Sequence, residues 1–169
     1  MIAEFILAAV ACIGTLTATL AVYFRYQGDS EIVFDTRAAR DYRVTKNTLQ
    51  RTIRCRCLIP LANRGRQNGM VINVFCQPMY YGKIMEQLEI AAKLRPLDAP
   101  LRQNGYWEAV IIKKNAASLV ELEVAIRSRA DLHIVAREIP HLKVIIYYQV
   151  VGRDGIQWHL SEVQFDLAS

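Results

Sequence analysis

Cys55-x-Cys57, with Cys76 about twenty residues on, is the arrangement in this sequence nearest to a soft-metal site. Two thiolates on one strand face and a third ligand on the next strand can converge on an ion. The usual zinc spacing, two pairs of knuckle cysteines, is absent. Cys55 and Cys57 also alternate in phase with Ile53 and Ile59, the pattern of small buried hydrophobes, so they are expected in a core and no metal site is assigned. Cys12 lies in an apolar run, which leaves three cysteines for the rest of the chain. An odd number fits a reducing compartment better than a disulfide framework. His133, His141 and His159 show no His-Glu-x-x-His spacing, and no Ser or Cys carries a nucleophile signature. Glu121 and Glu123 alternate with Val and Leu, as a solvated strand face does. No catalytic residue and no cofactor is assigned, and the chain is expected not to be an enzyme.

The sharper candidate is the loop Arg64-Gly65-Arg66-Gln67-Asn68-Gly69. Arg64, Arg66 and Asn68 supply donors and two glycines expose backbone amides, a set that can hold a small anion. Arg54 and Arg56, facing outward on the preceding strand, would extend the patch. The loop lacks the strand-to-helix context of a phosphate loop. Its plain alternative is a tight corner with solvated arginines.

These residues must be positioned by strands. Apolar residues alternate at Ile53–Ile59, at Leu88–Arg95 and at Leu119–Arg127, where Val120, Leu122, Val124 and Ile126 form one face. Met70–Cys76 is apolar on both faces, and Tyr106–Ile112 adds another strand. Leu142–Val151 is β-branched and aromatic, Gly152-Arg153-Asp154-Gly155 is a turn, and Ile156–Leu160 returns, extended by Val163, Phe165 and Leu167. Trp107, Trp158 and the tyrosines sit on strands where core packing is the default, although one of Tyr147 and Tyr148 must face outward. His159 is expected on the outer face of the last strand. Short helices are expected within Ser128–Ile139, halted by Pro140, and near Tyr80–Gln87. Seven to nine strands at this spacing imply an antiparallel sandwich or barrel. The corner Ile59-Pro60-Leu61-Ala62-Asn63-Arg64-Gly65 and the closing Tyr147-Tyr148 to Trp158 hairpin resemble the B-to-C corner and F–G pair of immunoglobulin-like or fibronectin-III-like sandwiches. The resemblance covers most of residues 45–167 and implies a mainly β fold; the antibody Cys…Trp…Cys pattern is missing.

Ahead of the sandwich, Ile2 to Phe24 is apolar apart from Glu4. Twenty-three helical residues at about 1.5 Å each span a hydrocarbon core of about 30 Å. Tyr23, Phe24 and Tyr26 stand where interfacial aromatics belong, and Arg25 closes the span. A cleaved signal peptide would need a positive n-region, which is absent, although Thr19-Leu20-Ala21 is a passable cleavage site. The chain thus divides into an anchor (1–27), a basic juxtamembrane segment with room for a first strand (28–44) and a β-sandwich (45–169).

Of 169 residues, 53% are hydrophobic and 22% charged, which excludes a disordered chain. The net charge of +5 lies entirely in one stretch: residues 25–66 hold ten Lys/Arg against four Asp/Glu, and residues 67–169 hold eleven of each. A nucleic-acid binder would carry its excess on the folded domain, so no nucleic acid is expected. No Lys or Arg precedes the span and Arg25, Arg37, Arg40 and Arg43 follow it, which predicts an outside N-terminus and a cytoplasmic domain in the cell membrane. Ala8, Ala11, Thr15 and Ala18 repeat at spacings of three and four beside Gly14, a candidate helix–helix seam for self-association. The expected partners are the lipid bilayer and a protein, and the expected role is a membrane-tethered, non-catalytic interaction or scaffold protein. Rival readings are a sensor binding an anionic ligand at Arg64–Gly69 and an extracytoplasmic domain behind a signal anchor.

Overall fold

A computed structural model describes residues 2–80, 83–98, 107, 109–153 and 155–168. The expected strand start at Tyr106 and the turn residue Asp154 lie outside them. The fold is mainly β, an immunoglobulin-like antiparallel sandwich preceded by one long apolar helix, as the alternation and the two quoted corners imply.

Helix α1 covers Ile2–Gln27 and buries none of its side chains. Its hydroxyls are satisfied internally: Thr15, Thr17 and Thr19 each donate to the carbonyl four residues earlier at 2.8 Å. That removes the cost of exposing three polar groups on an apolar helix. Gly28, at φ +66°, takes the left-handed conformation that ends helices.

Among the described residues nine strands follow. The first sheet contains β1 (Ile32–Phe34), β2 (Arg40–Asn47), β3 (Thr52–Asn63), β5 (Leu88–Pro96) and β7 (Ala117–Ser128), in the order β1-β3-β7-β5 with β2 also on β3. The second contains β4 (Gly69–Met79), β6 (Val110–Ile112), β8 (His141–Gly152) and β9 (Gly155–Asp166), in the order β6-β4-β8-β9. This is the immunoglobulin arrangement, with the β3–β4 corner and the β8–β9 hairpin where the sequence resemblance puts them. Segment 28–44 carries β1 and the start of β2, so the folded part begins soon after α1.

Both β1 and β2 use the same edge of β3, one after the other. β2 pairs as far as Leu58 and β1 pairs from Leu61. Pro60 falls in the gap, and its carbonyl accepts from Asp35 N at 2.8 Å. N–H and C=O of a strand residue point the same way, so the N–H that proline lacks would have faced that gap.

The core lies between the sheets. Ile53, Cys55, Cys57, Ile59 and Leu61 enter it from β3, Val120, Leu122, Val124 and Ile126 from β7, and Leu142, Val144, Ile146 and Tyr148 from β8. Each such aliphatic side chain contributes about 1.5–3 kcal/mol through burial. Phe34, Trp107 and Tyr148 form an aromatic cluster, with Phe34 and Tyr148 edge to face at 4.9 Å. Trp107 Nε1 donates to Leu94 O at 3.0 Å, so its polar edge is satisfied inside. Helix α2 (Leu132–Glu138) begins at Asp131, whose carboxylate accepts from His133 N, and buries Leu132 and Val135. A 3₁₀ turn occupies Lys83–Gln87; residues 81 and 82 of that expected helix lie outside the described residues.

Candidate functional site

The end of the sandwich nearest α1 is built around one side chain. Asn63, at the close of β3, is the buried polar residue among the described residues. Its Nδ2 donates to Gln67 O (2.7 Å) and Ile112 O (3.0 Å), and its Oδ1 accepts from Gly65 N (2.9 Å) and Glu31 N (3.1 Å). Four bonds join the β3–β4 loop, the lead into β1 and the end of β6. The packing leaves no room at Gly65, where a Cβ would sit 2.3 Å from Asp29 O and Glu31 N.

Held this way, the loop aims Arg66 at α1. Arg66 Nη1 donates to Tyr26 O at 3.0 Å and its guanidinium lies 5.7 Å from the Tyr26 ring centre. From the β8–β9 turn, Arg153 donates to Phe24 O and Gln27 Oε1, both at 3.0 Å, and lies 5.3 Å from the Phe24 ring centre. The last carbonyls of a helix lack partners and carry its negative end, so two cations there satisfy both. Asp29 completes the joint by accepting from Arg153 N at 2.9 Å.

The two outer faces of the sandwich differ in kind. On the first sheet, Arg56 pairs with Glu123 (3.3 Å) and Glu121 (3.8 Å), Arg95 pairs with Glu121, and Arg127 meets Glu89 at 3.9 Å. Opposite charges face one another across strands, as on a solvated surface. The second sheet carries one such pair, Lys143–Glu162 at 2.9 Å, and an Asn73–Gln149 hydrogen bond, but it also exposes a group of large apolar side chains. Phe75 is 49% exposed, Ile111 67%, Ile156 59%, Trp158 53% and Leu160 62%. Phe75 stacks on Tyr147 at 4.9 Å and meets Trp158 edge to face at 5.9 Å. Exposed hydrocarbon of this kind is not what a solvated sheet face ordinarily presents.

Residues 39–168 match the family model described as "F420-0:gamma-glutamyl ligase, N-terminal Ig-like domain". The chain belongs to this family. Among solved structures it is similar to the GAE domain of GGA2p from Saccharomyces cerevisiae (12% identity, TM-score 0.38, 80% of this chain and 96% of that one). It is similar to the yeast GGA1 GAE domain to the same degree (11% identity, TM-score 0.38, 80% and 97%). No curated protein matches.

Membership in the ligase family overturns two expectations. The chain was expected to be a non-catalytic interaction or scaffold protein, and not an enzyme; the family is that of an enzyme, matched through its Ig-like domain. The lack of a nucleophile, metal or phosphate motif does not argue against an enzyme family, because an Ig-like domain of such a family need not itself carry the catalytic residues.

The structure separates the residues of the expected anion site. Arg64 pairs with Asp35 at 2.5 Å, Arg66 holds α1, and Asn68 Oδ1 accepts from Lys114 N at 3.0 Å. Arg54 and Arg56 face outward on the first sheet; Arg56 is eight strand residues from Arg64, about 26 Å. At the helix, Tyr23 lies edge to face on Phe24 at 5.7 Å, Arg25 is exposed in the last turn, and Phe24 and Tyr26 carry the arginines. Ala8, Ala11, Thr15 and Ala18 are exposed along α1.

Two aromatic expectations are corrected. Trp158 faces solvent and His159 turns inward, stacking at 5.5 Å on the buried Tyr148. The inward phase of β9 is set by Val163 and Phe165, and it carries the odd-numbered residues inward. Asn73, at φ +51°, forms a bulge in β4, so Val71 and Val74 both point inward and Phe75 is turned out. Sequence reasoning missed Phe75, Trp158 and Leu160 as a group, and it missed Arg153. The one signal was the run of alternate apolar residues Ile156, Trp158 and Leu160 opposite polar Gln157, His159 and Ser161.

Burial settles the state of the cysteines. Loss of hydration pushes the Cys55 and Cys57 thiols up to about 12, Cys57 also through its neighbour Cys55, and Cys76 up to about 11. A thiol that stays protonated is a poor nucleophile and ligand. In the folded chain these three are expected to resist iodoacetamide at neutral pH and to react once guanidinium unfolds it. The same shifts fix a pH trend. Folded pKa values lie above the ordinary thiol value of 9.0, so the unfolded chain releases protons first. Stability is whole below about 9 and falls as pH climbs toward 12. Rapid alkylation of the folded chain, or a flat alkaline profile, would contradict this.

Proposed function

We propose that this chain is the membrane-anchored Ig-like domain of an enzyme that adds a γ-glutamyl group to F420-0, and that the apolar face of its second sheet seats the rest of that ligase. The match over residues 39–168 carries the reaction class. The anchor is supported by α1, the one helix among the described residues long and apolar enough to cross a membrane. The arginine asymmetry across it supports a domain on the cytoplasmic side. Docking through the second sheet is supported by the contrast between the faces, since the ion-paired first sheet suits water and the Phe75–Tyr147–Trp158 cluster does not.

The test is the reaction. Native membranes given F420-0, glutamate and a nucleoside triphosphate are expected to form glutamylated F420-0, followed by mass. Membranes lacking this chain are expected to lose that product, and re-expression of the chain is expected to restore it. Undiminished glutamylation in its absence would sink the reading.

A further inference from the structure

We infer that the end of the sandwich facing α1 is a docking surface for the headgroups of anionic phospholipids. The inference rests on α1 being a membrane span, and it concerns different residues. Arg66 and Arg153 tie the helix terminus directly to the β3–β4 loop and the β8–β9 turn. No free linker intervenes, so if α1 crosses the bilayer, this end of the domain lies at the headgroup level. The β6–β7 turn belongs to the same end, because Lys114 N donates to Asn68 Oδ1 and Asn63 Nδ2 to Ile112 O.

The surface so assembled bears exposed Arg25, Arg64, Arg66, Lys113, Lys114 and Arg153. Among the described residues its acidic groups are Asp29, Glu31, Asp35 and Asp98. Asp35 is paired with Arg64, so those two charges offset, while Asp29 accepts from Ser30 N and Arg153 N and Asp98 from Ser118 Oγ; five basic groups then stand against three acidic ones. The opposite end mixes Arg51, Arg129 and Arg137 with Glu86, Asp131 and Glu138. Four of the nine arginines of the basic stretch, Arg40, Arg43, Arg54 and Arg56, lie along the first sheet instead. Lys113, Lys114 and Arg153, far away in sequence, replace them at the bilayer. Basic side chains at this depth are attracted to an anionic leaflet, and salt screens the attraction.

The full chain is reconstituted into vesicles of phosphatidylcholine, alone or mixed with phosphatidylglycerol, and hydrogen exchange is followed peptide by peptide. In the anionic vesicles, the amides of residues 64–68 and 112–116 are expected to exchange more slowly, on the order of fivefold. High salt and the double variant Lys113→Glu, Lys114→Glu should each remove the difference. The amides of residues 122–128, in the far half of β7, should exchange alike in both lipids and show that the variant is folded. An alkaline carbonate wash separates the two ideas. A chain that survives the wash but exchanges identically in both lipids overturns the headgroup surface and leaves the anchor standing. A chain stripped by the wash overturns both.

Discussion

Replacing Asn63 by leucine is expected to destabilise the domain by about 3–5 kcal/mol, measured by denaturant unfolding of the full chain in detergent with Trp107 and Trp158 as fluorescent reporters. Leucine matches asparagine in size but offers no polar atom. Gly65 N, Glu31 N, Gln67 O and Ile112 O would each lose a partner. A buried group left unpaired costs about 1–3 kcal/mol, and the sum is discounted because the loop can open and let water in. Against a total stability of about 5–15 kcal/mol, a loss of this size removes a large share. Asn63→Asp gives a sharper check. It keeps the acceptor for Gly65 and Glu31 but sets a second carboxylate oxygen against two carbonyls. Its cost should therefore be similar at neutral pH and smaller in acid, where a protonated oxygen can donate. If leucine were tolerated within about 1 kcal/mol, the four bonds would not be what closes this end.

Much of this fold is legible from periodicity alone. β3, β7 and β8 alternate cleanly because each packs one face on the other sheet, and their turn residues mark the ends. What the sequence conceals has specific causes. β2 (Arg40–Asn47) is an edge strand with little buried, so its residues carry no alternation beyond Tyr42 and Val44. Asn63 looks like one more polar loop residue, since nothing local reveals that its partners come from Glu31, Gln67 and Ile112. The bulge at Asn73 resets the phase of β4, and strict alternation then misplaces Phe75. In β9 both phases offer an aromatic, Trp158 on one and Phe165 on the other, and only pairing with β8 decides between them. Arg153 reads as a turn residue until α1 is set beside it. Membership in a ligase family is a property of the whole domain, which no short motif carries.

Changing Trp158 to lysine is expected to cut glutamylation of F420-0 in native membranes by roughly thirtyfold while leaving the domain folded. The residue stands at the centre of the apolar face, 53% exposed, with Phe75 edge to face on one side and Leu160 beside it on β9. Truncating a central aromatic in a desolvated interface costs about 2 kcal/mol or more, and a buried lysine ammonium would add its own penalty. The folded domain alone loses little, because lysine on an exposed strand position sacrifices chiefly one aromatic contact of about 0.5–1.5 kcal/mol. Binding and folding should therefore separate, with the thermal midpoint moving by a few degrees and activity by more than an order of magnitude. Lys93→Ala, on the ion-paired face of the other sheet, is the matched control and should change neither. The outcome fatal to docking through this face is Trp158→Lys with wild-type glutamylation, since no enzyme body seated on the Phe75–Tyr147–Trp158 cluster could accept a cation there.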